Sequence, residues 1–514
     1  MSKTIIIIGA GLAGLSAALQ AAENGCNVKL VSSLPSERAQ SVMAEGGINA
    51  ALNTKDENDS PEEHFTDTIK AACGLADPNA VWGMTQAAPE LVHWLLKLGV
   101  KFNMSGHDDV DLRNFGGQKK KRTAFAQSDT GKQIMTAMID AVRRKEASGM
   151  VERFSHHSFL TLRLCGNICC GCVIRDEYSQ ETVELPGDAV IVATGGMHGL
   201  FGNTTGSLSN TGEVTAELFR LGVPLANGEM IQYHPTTVKC GGKRMLISEA
   251  ARGEGGRLFA TKDGKRWYFM EEKYPELGNL MPRDITAREI WKVSHESEVF
   301  LDMTEISEEI ISNKLSGLAD DCMTYLHKDI RKEPVSVLPG IHYFMGGILV
   351  DEQHRTPIQN LCAAGECCAQ YHGANRLGGN SLLGALYGGR VAAKSACEQA
   401  DVVDLSCATQ IDFPPASQIS EIKQLNKVMQ ETMGVVRNEN TLLNGIQTVQ
   451  ALTGNLPLLG MAVLKSALAR KESRGAHWRE DYPKSNDDDY LKTTVARFDG
   501  KQIQISFVPV PERR

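Results

Sequence analysis

The chain has 514 residues, 42% hydrophobic and 23% charged, with a formal net charge of -8 at pH 7. That length exceeds what one core serves, so two or three domains are expected, and interspersed charges of net negative sign argue against a nucleic-acid surface. No apolar run is long enough to span a bilayer and the apolar N-terminus lacks a small-residue cleavage site, so a cytoplasmic location is expected.

Thr4 to Ser33 sets the organisation. Ile5 to Ile8 form a β-branched run suited to a strand buried on both faces, and they lead into Gly9-Ala10-Gly11-Leu12-Ala13-Gly14, a complete G-x-G-x-x-G. Leu15 to Asn24 reads as a helix stopped by Gly25, and Val28 to Val31 as the next parallel strand, which gives the motif the βαβ context of a dinucleotide site. Which dinucleotide is not settled by the motif. The second strand ends Val31-Ser32-Ser33, where an acidic residue commonly holds the ribose, and a Ser32 hydroxyl bonds it less strongly than a carboxylate.

Arg38 to Ala50 is too glycine-rich for a plain helix and too apolar for a surface linker; its small residues, Gly46 and Gly47 among them, suit backbone lying against a flat ring. Thr66 to Ala72 and Pro78 to Leu98 read as helices, and Asp111 to Gly117 as a loop able to wall a pocket. The basic run Lys119 to Arg122 is expected in a solvated loop. Lys132 to Lys145 reads as an amphipathic helix, followed by a β-rich insert from Val151 to Val183 that returns to the parent sheet at Ala189 to Val192. Ala193-Thr194-Gly195 then sets backbone amides beside the nucleotide.

Thirteen cysteines, with no secretory signal, are expected as reduced thiols. Cys165, Cys169, Cys170 and Cys172 fall in an alternating hairpin turning at Gly166-Asn167, so their side chains point to opposite faces and no metal site is expected there.

The expected class is α/β: a Rossmann-like dinucleotide-binding domain, an inserted α+β capping domain and a C-terminal helical domain. The boundaries are 1–227 and 346–405 for the two parts of the first, 228–345 for the cap and 406–514 for the last. Glu366 lies at a strand end and Asn380, Ser381 and Leu382 open a helix in the second part. From about Gln418 the chain reads as helical, closing with an acidic turn at Asp487 to Asp489 and a short strand from Gln502 to Val508.

The cap gathers His234, Arg252, Arg283 and His342, with Arg376 just after it and one carboxylate, Glu249, among them. Guanidinium groups bind carboxylates bidentately and imidazoles add hydrogen bonds, so the set suits a small di-anion. Glu249 and Arg252 are three apart, and Pro282 puts Arg283 in the first turn of a helix.

On these residues, together with Glu45-Gly46-Gly47-Ile48, Phe115-Gly116-Gly117, Tyr233-His234-Pro235-Thr236, Glu249 to Gly255, Gly373 to Leu383 and Arg470 to His477, the chain resembles the flavoprotein subunits of succinate dehydrogenase and fumarate reductase and their relative L-aspartate oxidase. The resemblance runs from Thr4 to about Val508. It implies FAD held by Gly9, Gly11, Gly14, Ser32, Gln40, Gly46, Gly47, Ala193, Thr194, Gly195, Glu366, Asn380, Ser381 and Leu382. It further implies Arg283 as proton donor, resupplied through Glu249 and Arg252, with His234, Ser248, His342, Arg376 and Phe115 around a C4 dicarboxylate. The expected partner is an iron–sulfur or other electron-transfer subunit, which can bring the protein to the inner face of the membrane.

Two departures matter. The respiratory members carry a histidine covalently bonded to FAD where this chain has Gln40, so FAD is expected to be non-covalent and, without the link that raises its potential, more strongly reducing. The chain also ends at Arg514, without the longer tail of many dehydrogenase subunits. Fumarate reduction is the expected activity. The alternatives are L-aspartate oxidase, which shares Arg283, His234 and His342, a reductase of another unsaturated acid, and a non-catalytic electron relay. Phe115-Gly116-Gly117-Gln118, without a carboxylate for an ammonium group, sides with the dicarboxylate enzymes.

Overall fold

The computed structural model describes residues 2–106, 108–399, 413 and 418–514. The expected boundary at 405/406 lies outside the described residues.

A five-stranded sheet lies at the centre, in the order Leu361–Ala363, Ala189–Val192, Thr4–Ile8, Asn27–Ser32, Val151–Ser155, all parallel. The isoleucine run is why both faces are covered. Ile5 and Ile7 enter a core with the helices Leu12–Glu23, Thr130–Ala147 and Asn380–Gln399, whereas Ile6 and Ile8 enter the opposite core with Leu162, Cys172 and Leu185 of an antiparallel sheet. That second sheet, His157–Cys165, Ile168–Asp176 and Thr182–Pro186, is the expected insert with its turn at Gly166 and Asn167. Val151–Ser155 is not part of it: this strand pairs in parallel with Asn27–Ser32 as the edge of the central sheet. Cys169, Cys170 and Cys172 are free thiols as expected, but Cys165 is disulfide-bonded. Among the described residues no group of His, Cys, Asp or Glu is arranged to hold a metal ion.

The helix expected from Thr66 starts earlier, at Pro61, because Ser60 caps it by accepting from the Glu63 amide at 3.2 Å with proline in the first turn. The basic run is not simply solvated. Arg122 is fully buried and pairs with Asp59 at 2.8 Å and Asp67 at 3.0 Å, and a guanidinium can be buried in this way only where carboxylates meet it.

Residues of the expected cap form their own core around Ile247, Leu258, Ile290, Val299 and Leu301. The strands Ile231–Cys240, Lys243–Leu246 and Leu338–Phe344 make a separate antiparallel sheet. The helices Ile419–Thr432, Glu439–Val449 and Asn455–Ala469 pack over Leu200, Phe219 and Phe344. Asp487–Tyr490 is a short helix rather than an acidic turn, and the last strand, Ile503–Pro509, pairs with one the sequence reading missed, Lys492–Phe498. Arg470 ties this region down, fully buried between Glu229 and Glu472 at 2.7 Å each. Among the described residues no helix is long and apolar enough to cross a membrane.

Candidate active site

A cavity of about 990 Å³ opens at the carboxyl ends of the central strands, at the upper end of the size range for small-molecule sites. At one end lie Gly9, Gly11, Ser32 and His156; at the other, Arg283, His342 and Arg376.

The first loop is shaped for a ligand. A Cβ at Gly9 would stand 2.3 Å from the Ala193 carbonyl oxygen, and one at Gly14 would stand 1.8 Å from the Gly9 oxygen, so these glycines permit strand and helix to touch. A Cβ at Gly11 would meet nothing nearer than the Ser41 hydroxyl at 3.6 Å, so this backbone faces open space at a helix N-terminus. Ser32 Oγ is buried without a partner on the same wall. Gln40, Gly46, Gly47, Ala193, Thr194, Gly195, Glu366, Ser381 and Leu382 also line the cavity; Gly14 and Asn380 do not.

Asn380 instead sets the helix that it opens. Its Oδ1 accepts from Asn49 Nδ2 at 2.7 Å and lies 3.0 Å from His64 Nε2, while its Nδ2 donates to Thr68 Oγ1 at 3.0 Å. Burial, with the Arg122 charge nearby, pulls His64 down to about 3, so its imidazole is neutral and donates to the amide oxygen. The N-terminus of Asn380–Gln399 is thereby aimed at the cavity, where Ser381 and Leu382 are exposed to it.

At the other end, Ser248 caps the short helix Glu249–Gly253, its Oγ accepting from the Ala250 amide at 3.4 Å, and that helix places Glu249 and Arg252 side by side. Pro282 starts the helix Arg283–Val293 as expected, turning Arg283 toward Glu249. Arg283 Nε donates to Glu249 Oε2 at 2.8 Å, and one terminal guanidinium nitrogen donates to Gln232 Oε1 at 3.1 Å. Glu249 Oε1 accepts from the Gly116 amide at 3.0 Å and lies 3.6 Å from Arg252. Arg252 does not line the cavity but stands behind Glu249, donating to the Asn279 carbonyl at 2.6 Å. Burial raises the Glu249 carboxyl, but Arg283 and Arg252 outweigh it and hold the group below the usual carboxylate value, hence ionised.

His234 and His342 meet edge to face, 5.2 Å between ring centres. Burial first, then the Arg283 charge, pulls both well below an ordinary histidine, so both are neutral. His342 Nδ1 is held by Thr205 Oγ1 at 2.8 Å, and His234 Nε2 is buried without a partner. The Arg376 guanidinium lies over the Tyr343 ring at 4.3 Å with its Nε unpartnered, and burial together with Arg283 pulls it down to about 9. Arg252, Arg283 and Arg376 outnumber the carboxylates Glu249 and Glu366 at this end, which leaves it net positive, with His234 Nε2 and Arg376 Nε buried and unpartnered.

Phe115 closes the wall, buried so tightly that a Cβ at Gly46 or Gly378 would stand 3.0 Å from its ring. Gln232, Thr205 and Asn279 were not singled out as site residues from the sequence. Gln232 carried one signal, since it lies two before His234 in a strand and shares its face. Glu45 also lines the cavity; burial, then Asp321, pushes its carboxyl up to about 8.

The FAD binding domain family matches residues 4–382, and the fumarate reductase flavoprotein C-terminal family matches residues 452–513. The chain belongs to the succinate dehydrogenase and fumarate reductase flavoprotein family. It is 38% identical to the succinate dehydrogenase flavoprotein subunit of Bacillus subtilis (strain 168), over 100% of this chain and 98% of that protein. It is 32% identical to the 8-methylmenaquinol:fumarate reductase flavoprotein subunit of Wolinella succinogenes, over 100% of this chain and 92% of that one. A mutant form of the E. coli quinol fumarate reductase FrdA matches at a TM-score of 0.90 with 27% identity, covering 99% of this chain and 97% of that one. Membership makes the protein an FAD-dependent oxidoreductase, and the long cavity with its glycine loop and orphaned Ser32 hydroxyl fits that cofactor.

Proposed function

We propose that this protein reduces fumarate to succinate, with non-covalent FAD and electrons delivered by a partner subunit. The observation carrying this reading is the net positive end of the cavity, where two neutral imidazoles and Arg376 can take a pair of carboxylates and Arg283 is held against Glu249. When bound, FAD supplies the hydride equivalent for one alkene carbon.

The protein's own residues do the rest. His234, Ser248, His342 and Arg376 hold the two carboxylates and so fix which alkene carbon faces Arg283. Arg283 gives a proton to that carbon as negative charge builds on it; Glu249, touching both guanidiniums, returns a proton from the Arg252 side. A guanidinium gives up a proton only at large cost, and the site lowers that cost by keeping the group buried, against a carboxylate that can relay a replacement proton from Arg252. Phe115 and Tyr343 exclude water from the region.

L-Aspartate oxidation is the second reading, and Glu45 is what favours it, being a carboxyl on the cavity wall that an ammonium group would ionise. Phe115, apolar and fully packed at the loop expected to carry such a carboxylate in that enzyme, favours the reductase. The test is anaerobic reoxidation of the reduced flavin by fumarate, other alkene acids and, in the opposite direction, flavin reduction by L-aspartate. Fumarate should be fastest. Faster reaction with L-aspartate, or with another alkene acid, would replace this reading.

A further inference from the structure

Two thiols lie in contact near the amino ends of the central strands, away from the cavity at their carboxyl ends. Cys26 Sγ is 3.0 Å from Cys397 Sγ, across 371 positions of sequence, and both are free. An S–S bond is about 2.05 Å long, so the two sulfurs have roughly 1 Å to close once their hydrogens are lost. Cys26 follows Gly25, whose left-handed backbone ends the helix Leu12–Glu23, and Cys397 sits in the last turn of Asn380–Gln399. The N-termini of both helices face the cavity. They pack closely along their length: Ser16 Oγ donates to the Leu386 carbonyl at 2.7 Å, and a Cβ at Gly389 would stand 2.3 Å from the Ala13 oxygen.

We propose that Cys26 and Cys397 form an oxidative modification site, converted by hydrogen peroxide into a disulfide that staples the far ends of these two helices. One thiolate sulfur attacks the peroxide, the O–O bond breaks, and a molecule of water leaves behind a sulfenic acid. The second thiol attacks that sulfur, the S–S bond forms, the S–O bond breaks and a second water leaves. The two thiols lose two electrons and two protons; the peroxide is reduced to two waters. Peroxide is the class of oxidant that a reduced flavin generates when it meets dioxygen.

The surroundings set the pace. Cys26 is buried and Cys397 half-buried, so a small oxidant has access and a protein does not. Burial and the neighbouring Cys26 push the Cys397 thiol up to about 12, opposed by Asn24 and then by Lys3, whose Nζ donates to the Cys397 carbonyl at 2.7 Å. Thiolate is scarce at neutral pH, which makes the reaction slow and accelerated by alkali. The staple is a lasting mark of oxidative exposure. Neither cysteine lines the cavity, so turnover is left intact. What the staple restrains is the unfolded chain, through a very long closed loop.

The test uses the FAD-loaded protein, incubated with hydrogen peroxide at pH 7 and pH 9, quenched with an alkylating reagent and digested without reductant. Mass spectrometry is expected to find Cys26 and Cys397 in one cross-linked peptide pair, two hydrogens lighter than the parts, accumulating about tenfold or more faster at pH 9. The melting temperature should rise by several degrees, fall back on reduction with dithiothreitol, and not move with peroxide in Cys397→Ser. Recovery of both residues singly alkylated, or either of them linked to a different cysteine, would overturn the proposal. So would a peroxide-dependent rise in melting temperature that persists in Cys397→Ser.

Discussion

Two donors of Arg283 converge on one oxygen of Glu249: Nε at 2.8 Å and a terminal nitrogen at 2.6 Å from Oε2. The other oxygen, Oε1, is left for the Gly116 amide and for Arg252. The carboxylate is therefore divided between the guanidinium that faces the cavity and the one behind it, as a proton carrier between them must be.

Arg283→Lys keeps the charge and loses the planar group that reaches both Glu249 and Gln232. Turnover should fall by a factor of roughly 10³ or more, toward the upper range for loss of a general acid, while FAD and fumarate still bind. Steady-state kinetics with a dye donor checks it, alongside fumarate titration of the oxidised flavin spectrum. Turnover near wild type would remove Arg283 from the role of acid.

Glu249→Gln should lower kcat by about 10²-fold with a smaller change in KM, because the lost function is proton return rather than binding. It should also cost roughly 3–5 kcal/mol of stability, since two buried guanidiniums lose their shared counter-charge. The pH dependence has a definite sign. The folded carboxyl is held below its ordinary value, so the stabilisation is present above that value and is lost as pH falls through the folded one. Denaturant melts of the two proteins should converge only in acid.

Much of this arrangement was legible in the sequence, for local reasons. Ile5 to Ile8 could be read as a doubly buried strand because no alternation interrupts it, and Pro282 announced the helix that aims Arg283. Val151–Ser155 was misplaced because a short edge strand with one exposed face looks like the antiparallel strands that follow it. The Asn279 carbonyl under Arg252 and the Gly116 amide on Glu249 are backbone groups, which residue types do not advertise. The ion pairs of Arg122 and the meeting of Cys26 with Cys397 join residues far apart in the chain, so only the fold brings them together.

Glu45 gives a pH test of the cavity's charge. Its carboxyl, raised to about 8 by burial first and then by Asp321 and Asp129, against the opposing Arg113 charge and Ser248 hydroxyl, is mostly neutral at pH 7 and mostly ionised at pH 9. Ionisation puts a negative charge on the wall that receives a di-anion, so KM for fumarate should rise several-fold between pH 7 and 9. Glu45→Gln should abolish that rise and leave the weaker one above pH 9, where Arg376 begins to lose its proton. An unchanged KM profile in the variant would place Glu45 outside the substrate's field.

Gln40 lines the cavity but carries an amide, which cannot form the histidyl bond. Acid denaturation followed by removal of small molecules should leave the polypeptide without flavin absorbance. Flavin fluorescence remaining with the protein would mean a covalent attachment at another residue.

The most direct measurement compares fumarate reduction and succinate oxidation on one preparation, using dyes of suitable potential at pH 7. Each 30 mV or so by which an unlinked flavin is more reducing shifts the two-electron balance by roughly 1.4 kcal/mol toward the reduced acid. Fumarate reduction should be the faster direction by about tenfold or more, and Arg283→Lys should suppress both directions together. Succinate oxidation as fast as or faster than fumarate reduction, or brisk turnover in either direction in Arg283→Lys, would contradict a fumarate reductase built on Gln40 and Arg283.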